Sequence, residues 1–148
     1  MSGRTRGYAH RVDIAAAPAL VWKALTHTAS LRLWCSPDAH ISAREGGHFR
    51  ASVDRVTELE AHIDMLVPQR RMRLIYLPSA DLPTTGSAIV DDFILDDSDA
   101  GKTILRLLGS GFPATTDGDK LYMRLRTSWE RAVARLKVLV EQEVQESA

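Results

Sequence analysis

A stretch near the end of the chain, Asp117 to Glu146, has the pattern of one long amphipathic helix. Its apolar residues recur at spacings of three or four, which places them on one face of the helix. At a rise of about 1.5 Å per residue, a helix of this length is roughly 45 Å long. An apolar stripe must be buried, so we expect this helix to pack against the strands that precede it. The stripe consists of Leu121, Leu125, Trp129, Ala132, Leu136, Val140 and Val144.

The residues before this helix predict one strand, two short helices and then a run of hairpin-linked strands. Tyr8 to Ile14 alternates between two faces and indicates the first strand. Pro18 suits the first position of a helix, and Pro37 ends the second short helix. Because the later strands follow one another closely, we expect an α+β fold whose antiparallel sheet curls over the C-terminal helix and leaves a ligand-sized space. These strands are predicted at 39–43, 48–53, 58–67, 71–77, 88–95 and 103–108.

Length and composition limit the possible functions. At 148 residues the chain is expected to form a single domain, residues 1–148, with residues 1–6 disordered. The 19 Lys and Arg residues balance 19 Asp and Glu residues, which argues against a dedicated nucleic-acid binder. The one cysteine, Cys35, suits a reducing compartment, and no apolar stretch approaches the ~18 residues of a membrane span. We therefore expect a cytoplasmic protein that binds neither nucleic acid nor membranes.

Several short motifs occur in an order that is typical of one protein family. In that order and spacing, from about Val12 to Val140, the chain resembles the START-like superfamily with the helix-grip fold, also called SRPBCC. Within the superfamily it is most similar to the family of the activator of the heat-shock protein 90 ATPase. The motifs are Ala17 to Thr26, Leu33-Trp34 before a proline, Glu45 to Phe49, Val67 to Leu74, Ser110-Gly111-Phe112 and Ser128 to Ala132.

The resemblance implies a curved seven-stranded antiparallel sheet that grips the C-terminal helix, with two short helices after the first strand and a cavity in between. It implies no common catalytic residues, and no cofactor is expected. Gly109 stands where relatives often carry a histidine, and Ser128 stands where a glycine often precedes the helix tryptophan. The N-terminal domain of the true co-chaperone is not part of this sequence, which argues against a full co-chaperone role.

Apolar and aromatic side chains that are predicted to face inward form the candidate ligand site. Methionines and aromatic rings on a concave sheet make an adaptable lining. The hydroxyls of Tyr76 and Tyr122 are expected to orient a ligand, together with His62 or Asp91. Asp91 faces inward if Phe93 does, but a place in water at the edge of the sheet is the favoured alternative. The lining is predicted to contain Trp34, Phe49, Met65, Met72, Leu74, Tyr76, Phe93, Leu105, Phe112, Tyr122, Leu125 and Trp129.

Patterns for metal binding and nucleophilic catalysis are weak. The spacings among His27, Cys35, His40 and His48 fit no paired-ligand pattern, so no metal site is expected. Two glycines flank Ser110, but the residues after it break the strand-to-helix turn that a nucleophile elbow needs.

Three functions therefore remain open. The leading interpretation is a protein that binds an apolar or aromatic small molecule by burial in the cavity. One alternative is a cofactor-free enzyme that acts on an aromatic or polyketide-like substrate by general acid–base catalysis. The other is a protein similar to the heat-shock protein 90 ATPase activator, with a chaperone contact through its sheet, and a homodimer is also left open. The loop 78–87, rich in proline and small polar residues, is expected to be the mobile gate of the cavity.

Overall fold

The computed structural model describes residues 4–82, 88–99 and 101–147. Strand β1 spans Thr5–Ile14 and leads into two short helices, α1 at Pro18–Thr26 and α2 at Thr28–Trp34. The long helix α3 spans Thr116–Ser147 and is the last element, as the sequence predicts. Between α2 and α3 lie β2 (His40–Ile41), β3 (His48–Ala51), β4 (Leu59–Val67), β5 (Arg71–Tyr76), β6 (Val90–Asp97) and β7 (Thr103–Pro113).

All seven strands form one antiparallel sheet in the order β1-β7-β6-β5-β4-β3-β2. From β2 to β7 each strand pairs with its neighbour in the chain, while β1 pairs with β7. The first strand therefore forms one edge of the sheet, next to the last strand. Strand β6 lies in the interior of the sheet, between β5 and β7. This arrangement confirms the predicted curved sheet around a long C-terminal helix.

The apolar stripe of α3 is buried against the sheet and the short helices, which confirms the helical periodicity. Trp129, Leu136 and Val140 have no exposed surface, and Leu125 is 2% exposed. Burying side chains of this size stabilises a fold by about 1.5–3 kcal/mol each. Val144, near the end of the stripe, is partly buried and packs against the same core. Packing of the stripe is therefore a main source of stability for the whole fold.

The inward orientation that the sequence predicts for Met65 on β4 is wrong. A β-bulge between Ile63 and Met65 shifts the pairing of β4 with β5. Because successive side chains of a strand point to opposite faces, the shift places Leu66 rather than Met65 against the core. Met65 is only half-buried, and His62 lies on the opposite face from the buried Ala61. Met65 and His62, which were both expected to serve the ligand site, therefore lie outside the buried core cluster.

The ends of the chain and the predicted gate differ in part from expectation. Thr5 and Arg6 belong to β1, so the expected disorder is wrong for these two residues, and residues 1–3 lie outside the described chain. Of the predicted gate 78–87, residues 83–87 lie outside it too, while Leu82 is buried in the core. The Thr115 hydroxyl accepts a hydrogen bond from the Gly118 N–H at 3.0 Å, which is typical of the residue that caps the N-terminus of a helix. In the described part of the chain, no helix combines the length and apolarity that a membrane crossing requires.

Candidate functional site

A buried carboxylate lies on the inner face of the sheet, in an otherwise apolar region. Asp91 on β6 is 1% exposed. Its Oδ1 accepts a hydrogen bond from the Tyr8 hydroxyl at 2.5 Å, and its Oδ2 accepts one from the Tyr76 hydroxyl at 2.7 Å. The favoured prediction for Asp91, a place in water at the sheet edge, is wrong because β6 is flanked by strands on both sides. We call Asp91, Tyr8 and Tyr76 the carboxylate cluster.

Tyr8 reaches Asp91 across an intervening strand. Tyr8 on β1 pairs with Gly109 on β7, and Gly109 in turn pairs with Asp91 on β6. A Cβ atom at Gly109 would overlap the Tyr8 ring. The bare backbone of Gly109 therefore gives the ring the room to lie across β7 and place its hydroxyl on the carboxylate. The glycine that departs from the family pattern thus has a structural role in this chain.

Replacing Gly109 with alanine should lower the free energy of unfolding by about 1–3 kcal/mol, the usual cost of overpacking a filled site. The added methyl group must displace the Tyr8 ring and break its bond to Asp91. Urea unfolding monitored by circular dichroism measures the loss. In a Tyr8→Ala background the ring is absent, so the same change at Gly109 should cost less. Equal costs in the two backgrounds would show that the Tyr8 ring does not occupy this space.

Burial governs the protonation of the carboxylate cluster. Burial raises the pKa of Asp91 to about 6, although the hydrogen bonds from the two tyrosines favour the ionised form. Burial, followed by the negative charge of Asp91, raises the pKa of Tyr8 and Tyr76 well above the ordinary value. The two phenols therefore stay protonated as donors, whereas the carboxylate changes its charge close to neutral pH.

Two further buried polar atoms lie between the sheet and α3 without a hydrogen-bond partner among the described residues. These atoms are Nε2 of His10 and Nε1 of Trp129. The His10 ring stacks on Tyr8 with 5.1 Å between centroids, and burial lowers its pKa. The Trp129 ring lies 5.7 Å from Phe93 and 6.5 Å from Trp34, centroid to centroid. An unsatisfied buried polar group costs about 1–3 kcal/mol, so such groups call for an explanation.

Most of the predicted lining is brought together on the inner face, in one core cluster. Met65 is the exception, because the bulge in β4 turns its side chain away from this cluster. The Tyr122 hydroxyl, expected to orient a ligand, donates to the Gly7 carbonyl at 2.7 Å and so holds α3 to β1. The residues that lie in the cluster are Trp34, Phe49, Met72, Leu74, Tyr76, Phe93, Leu105, Phe112, Tyr122, Leu125 and Trp129.

Tyr8 and His10 are not among the site residues that the sequence predicts. In the alternation of the first strand they share a face with Val12 and Ile14, and this pattern is the signal that could have found them. An aromatic residue and a histidine that alternate with apolar residues on a buried face need hydrogen-bond partners inside the protein. Asp91 was the corresponding acidic residue on a predicted strand. The pairing itself spans 83 residues and needed the sheet order.

Two pockets formed by described residues open on the surface of α3. One is an apolar groove with a volume of about 490 Å³, in which Leu33 is 70% exposed and Val138 is 55% exposed. The other is a smaller basic pocket of about 170 Å³ beside the loop that joins β3 to β4. Neither is lined by a residue of the predicted ligand site, so the cavity between sheet and helix stays a prediction.

Comparisons with known proteins agree with this fold. The family model described as Activator of Hsp90 ATPase homolog 1-like protein matches residues 15–141. The crystal structure of protein MLL2253 from Mesorhizobium loti has a TM-score of 0.78 at 22% sequence identity, over 93% of this chain and 98% of that chain. The solution structure of the Aha1 dimer from Colwellia psychrerythraea has a TM-score of 0.77 at 20% identity, over 92% and 96% of the two chains.

A third structure comes from a biosynthetic locus. DynU16, a protein in the dynemicin biosynthetic locus, has a TM-score of 0.70 at 20% identity, over 91% of this chain and 47% of that chain. A comparison with the curated proteins gave no match. At these identities the solved structures establish the shared fold, and the family match covers most of the chain.

Proposed function

The chain belongs to the family of Activator of Hsp90 ATPase homolog 1-like proteins, and on this premise we propose that it binds an apolar or aromatic small molecule between its sheet and α3. The observation that carries the proposal is the carboxylate cluster of Asp91, Tyr8 and Tyr76 in an apolar interior. Apolar burial supplies the affinity, and the polar cluster fixes the orientation of the ligand.

The fold itself does not need a carboxylate at Asp91. Moving a carboxylate out of water costs several kcal/mol, and well-packed apolar residues at such a position are often at least as stabilising. Buried titratable groups with a shifted pKa occur mainly where a protein binds or transforms something. The cluster therefore supports a ligand-orienting role better than a purely structural one.

The free hydrogen-bonding capacity of the site favours a ligand with a hydroxyl or carbonyl group on an apolar body. Each oxygen of the Asp91 carboxylate accepts one tyrosine hydroxyl and retains a second lone pair for a ligand hydroxyl. The Trp129 N–H is a buried donor without a partner among the described residues, and suits a carbonyl oxygen. Because the aromatic rings around Trp129 pack on one another, a ligand enters by displacing them.

The test is a titration with 1-naphthol, which carries one hydroxyl on an apolar ring system. Binding is monitored by tryptophan fluorescence, since Trp34 and Trp129 lie in the interior. We expect saturable binding that is weakened roughly ten-fold or more in Asp91→Asn, because a hydrogen bond to a charged group contributes about 1.5–3 kcal/mol. Naphthalene, which has no hydroxyl, should bind both proteins equally.

The matched control is Asp92→Asn. Asp92 is the next residue on β6, but its carboxylate lies on the outer side of the sheet and bonds Arg71 at 2.5 Å. This variant should bind 1-naphthol as the parent protein does. Absence of saturable binding, or an equal loss of affinity in the two variants, would contradict the proposed site.

A cofactor-free enzyme is the second candidate, and the pKa of Asp91 favours it. A general base works best when its pKa lies near the operating pH, and burial raises the pKa of Asp91 to about 6. Incubation with the enolisable aromatic ketone 2-tetralone in D₂O tests this role. An active site should exchange the acidic C–H faster than buffer does, and Asp91→Asn should abolish the gain. Exchange at the buffer rate would remove this candidate.

We also propose contacts with two kinds of protein partner. The family description names an activator of the Hsp90 ATPase, so a chaperone contact through the outer face of the sheet is tested by binding to a heat-shock protein 90 middle domain. One structural neighbour is described as an Aha1 dimer, and light scattering after size exclusion tests whether this chain also forms a homodimer. We further propose that the protein is cytoplasmic.

A further inference from the structure

Three arginines converge on a small pocket outside the ligand site. Arg55 comes from the loop between β3 and β4, while Arg131 and Arg135 are one turn apart on α3. Ser128 adds a hydroxyl on the same helix face, three residues before Arg131. The pocket has a volume of about 170 Å³. This is below the ~300–1,000 Å³ of a typical small-molecule pocket, and suits a single charged group.

The positive charge of this pocket is not balanced by a carboxylate. Asp54 lies in the wall, but it is already engaged by the Arg124 guanidinium at 2.8 Å and by the Thr57 hydroxyl at 2.6 Å. Within the described ranges, Arg55, Arg131 and Arg135 form no ion pair. The pocket is therefore a local excess of positive charge on a chain whose formal net charge is zero.

The three guanidinium groups are close enough to affect one another. Burial lowers the pKa of Arg135, and the positive charges of Arg55 and Arg131 lower it further. Like charges four residues apart on a helix are destabilising by about 0.2–0.5 kcal/mol. An anion between them would remove this repulsion.

The backbone holds Arg55 and Arg135 in place. Arg55 has a φ of 67°, a left-handed conformation that is uncommon outside glycine. Its N–H donates to the Ser52 carbonyl at 2.9 Å, which closes the turn that presents its side chain to α3. Arg135 donates its Nε–H to the Trp34 carbonyl at 2.9 Å, leaving its terminal nitrogens for the pocket.

We propose that Arg55, Arg131 and Arg135, with the Ser128 hydroxyl, bind the phosphate group of a small phosphate monoester. Guanidinium groups match phosphate oxygens through pairs of parallel hydrogen bonds, and three of them suit a doubly charged group. The size of the pocket admits the phosphate, and the remainder of the ligand extends outside it.

The experiment is a titration of the full chain with inorganic phosphate and with glycerol 3-phosphate at pH 7.5 and low ionic strength, followed by amide chemical shifts in NMR. Both should bind saturably, with the largest shifts at 53–55 and 128–135. Arg131→Gln should weaken both affinities roughly ten-fold or more. Arg70→Gln is the matched control, because Arg70 is exposed, lies in the turn between β4 and β5 and does not line the pocket. It should leave the affinities unchanged.

Thermal unfolding separates an anion site from a structural role. Phosphate should raise the melting temperature of the parent protein and of Arg70→Gln, but not that of Arg131→Gln. Without phosphate, Arg131→Gln should melt no lower than the parent, since a like-charge pair has been removed. The proposal is overturned if sodium chloride of equal ionic strength reproduces the shifts, if the two variants lose affinity equally, or if succinate binds more tightly than phosphate. Destabilisation of Arg131→Gln in the absence of phosphate would equally assign the arginine a structural role.

Discussion

Replacing Leu136 with alanine will lower the free energy of unfolding by about 2–5 kcal/mol. Leu136 has no exposed surface and lies on the stripe of α3 that packs into the fold. Alanine removes apolar atoms from this interface and leaves a cavity that the surrounding side chains fill only in part. Urea unfolding at neutral pH measures the loss as a change in midpoint at constant slope.

The matched control for Leu136→Ala is Val138→Ala on the same helix. Val138 is 55% exposed and faces the surface groove rather than the core. Its truncation should change stability by no more than about 0.5 kcal/mol, as is usual for surface positions. Equal losses in the two variants, or a loss below about 0.5 kcal/mol for Leu136→Ala, would mean that α3 is not docked by its apolar stripe.

The long helix and the strand series were predictable because they depend on local patterns. The stripe that contains Leu136 repeats with the helical period, and the later strands pair with their neighbours in the chain. Each of these signals lies within about ten to thirty residues of sequence, and the family resemblance supplied the sheet that wraps the helix.

The side-chain faces of β4 could not be predicted from its own sequence. The alternation of Ile63, Met65 and Val67 is regular, and a regular strand would bury all three. The bulge next to Ile63 depends on how β4 pairs with β5, which places Leu66 opposite Met72. One inserted residue exchanges the two faces for the rest of the strand, so Met65 lies outside the buried core cluster.

The carboxylate cluster shows a second limit of sequence reasoning. Whether Asp91 lies at an edge or in the interior depends on the order of the strands, and β1 completes that order only by pairing with β7. Tyr8 and Asp91 are 83 residues apart, and the ring that joins them crosses a glycine of a third strand. The residues were visible in the sequence, but their contact is a property of the tertiary fold.

The carboxylate cluster also predicts an unusual dependence of stability on pH. Asp91 has a pKa of about 6 in the folded protein, whereas an aspartate in an unfolded chain has a pKa of about 3.9. The folded state therefore binds the proton more tightly than the unfolded state. Its contribution to stability rises as the pH falls through 6 and levels off below the unfolded pKa of about 3.9. A difference of about two pKa units corresponds to roughly 3 kcal/mol.

Other groups act in the opposite direction, so the effect of Asp91 must be isolated by a variant. Burial lowers the pKa of His10, which favours unfolding as the pH falls through the ordinary histidine range. A hydrogen bond from Arg11 lowers the pKa of Asp13, and one from the Ala15 N–H lowers the pKa of Glu141. The stability that these two carboxylates contribute is lost when acid protonates them. The measured quantity is therefore the difference in unfolding free energy between the parent protein and Asp91→Asn at each pH.

This difference should move in favour of the parent protein by roughly 2 kcal/mol between pH 7 and pH 4, with most of the change between pH 6 and pH 4. The Asn side chain keeps the shape of the carboxyl group but does not titrate, so the change reports Asp91 alone. The same difference for Asp13→Asn should show no such rise, because the pKa of Asp13 is lowered rather than raised. A flat profile for Asp91→Asn would mean that the buried carboxylate binds its proton no more tightly than an exposed one. In that case the tyrosine hydroxyls compensate its burial in full, and Asp91 is not suited to act as a base near neutral pH.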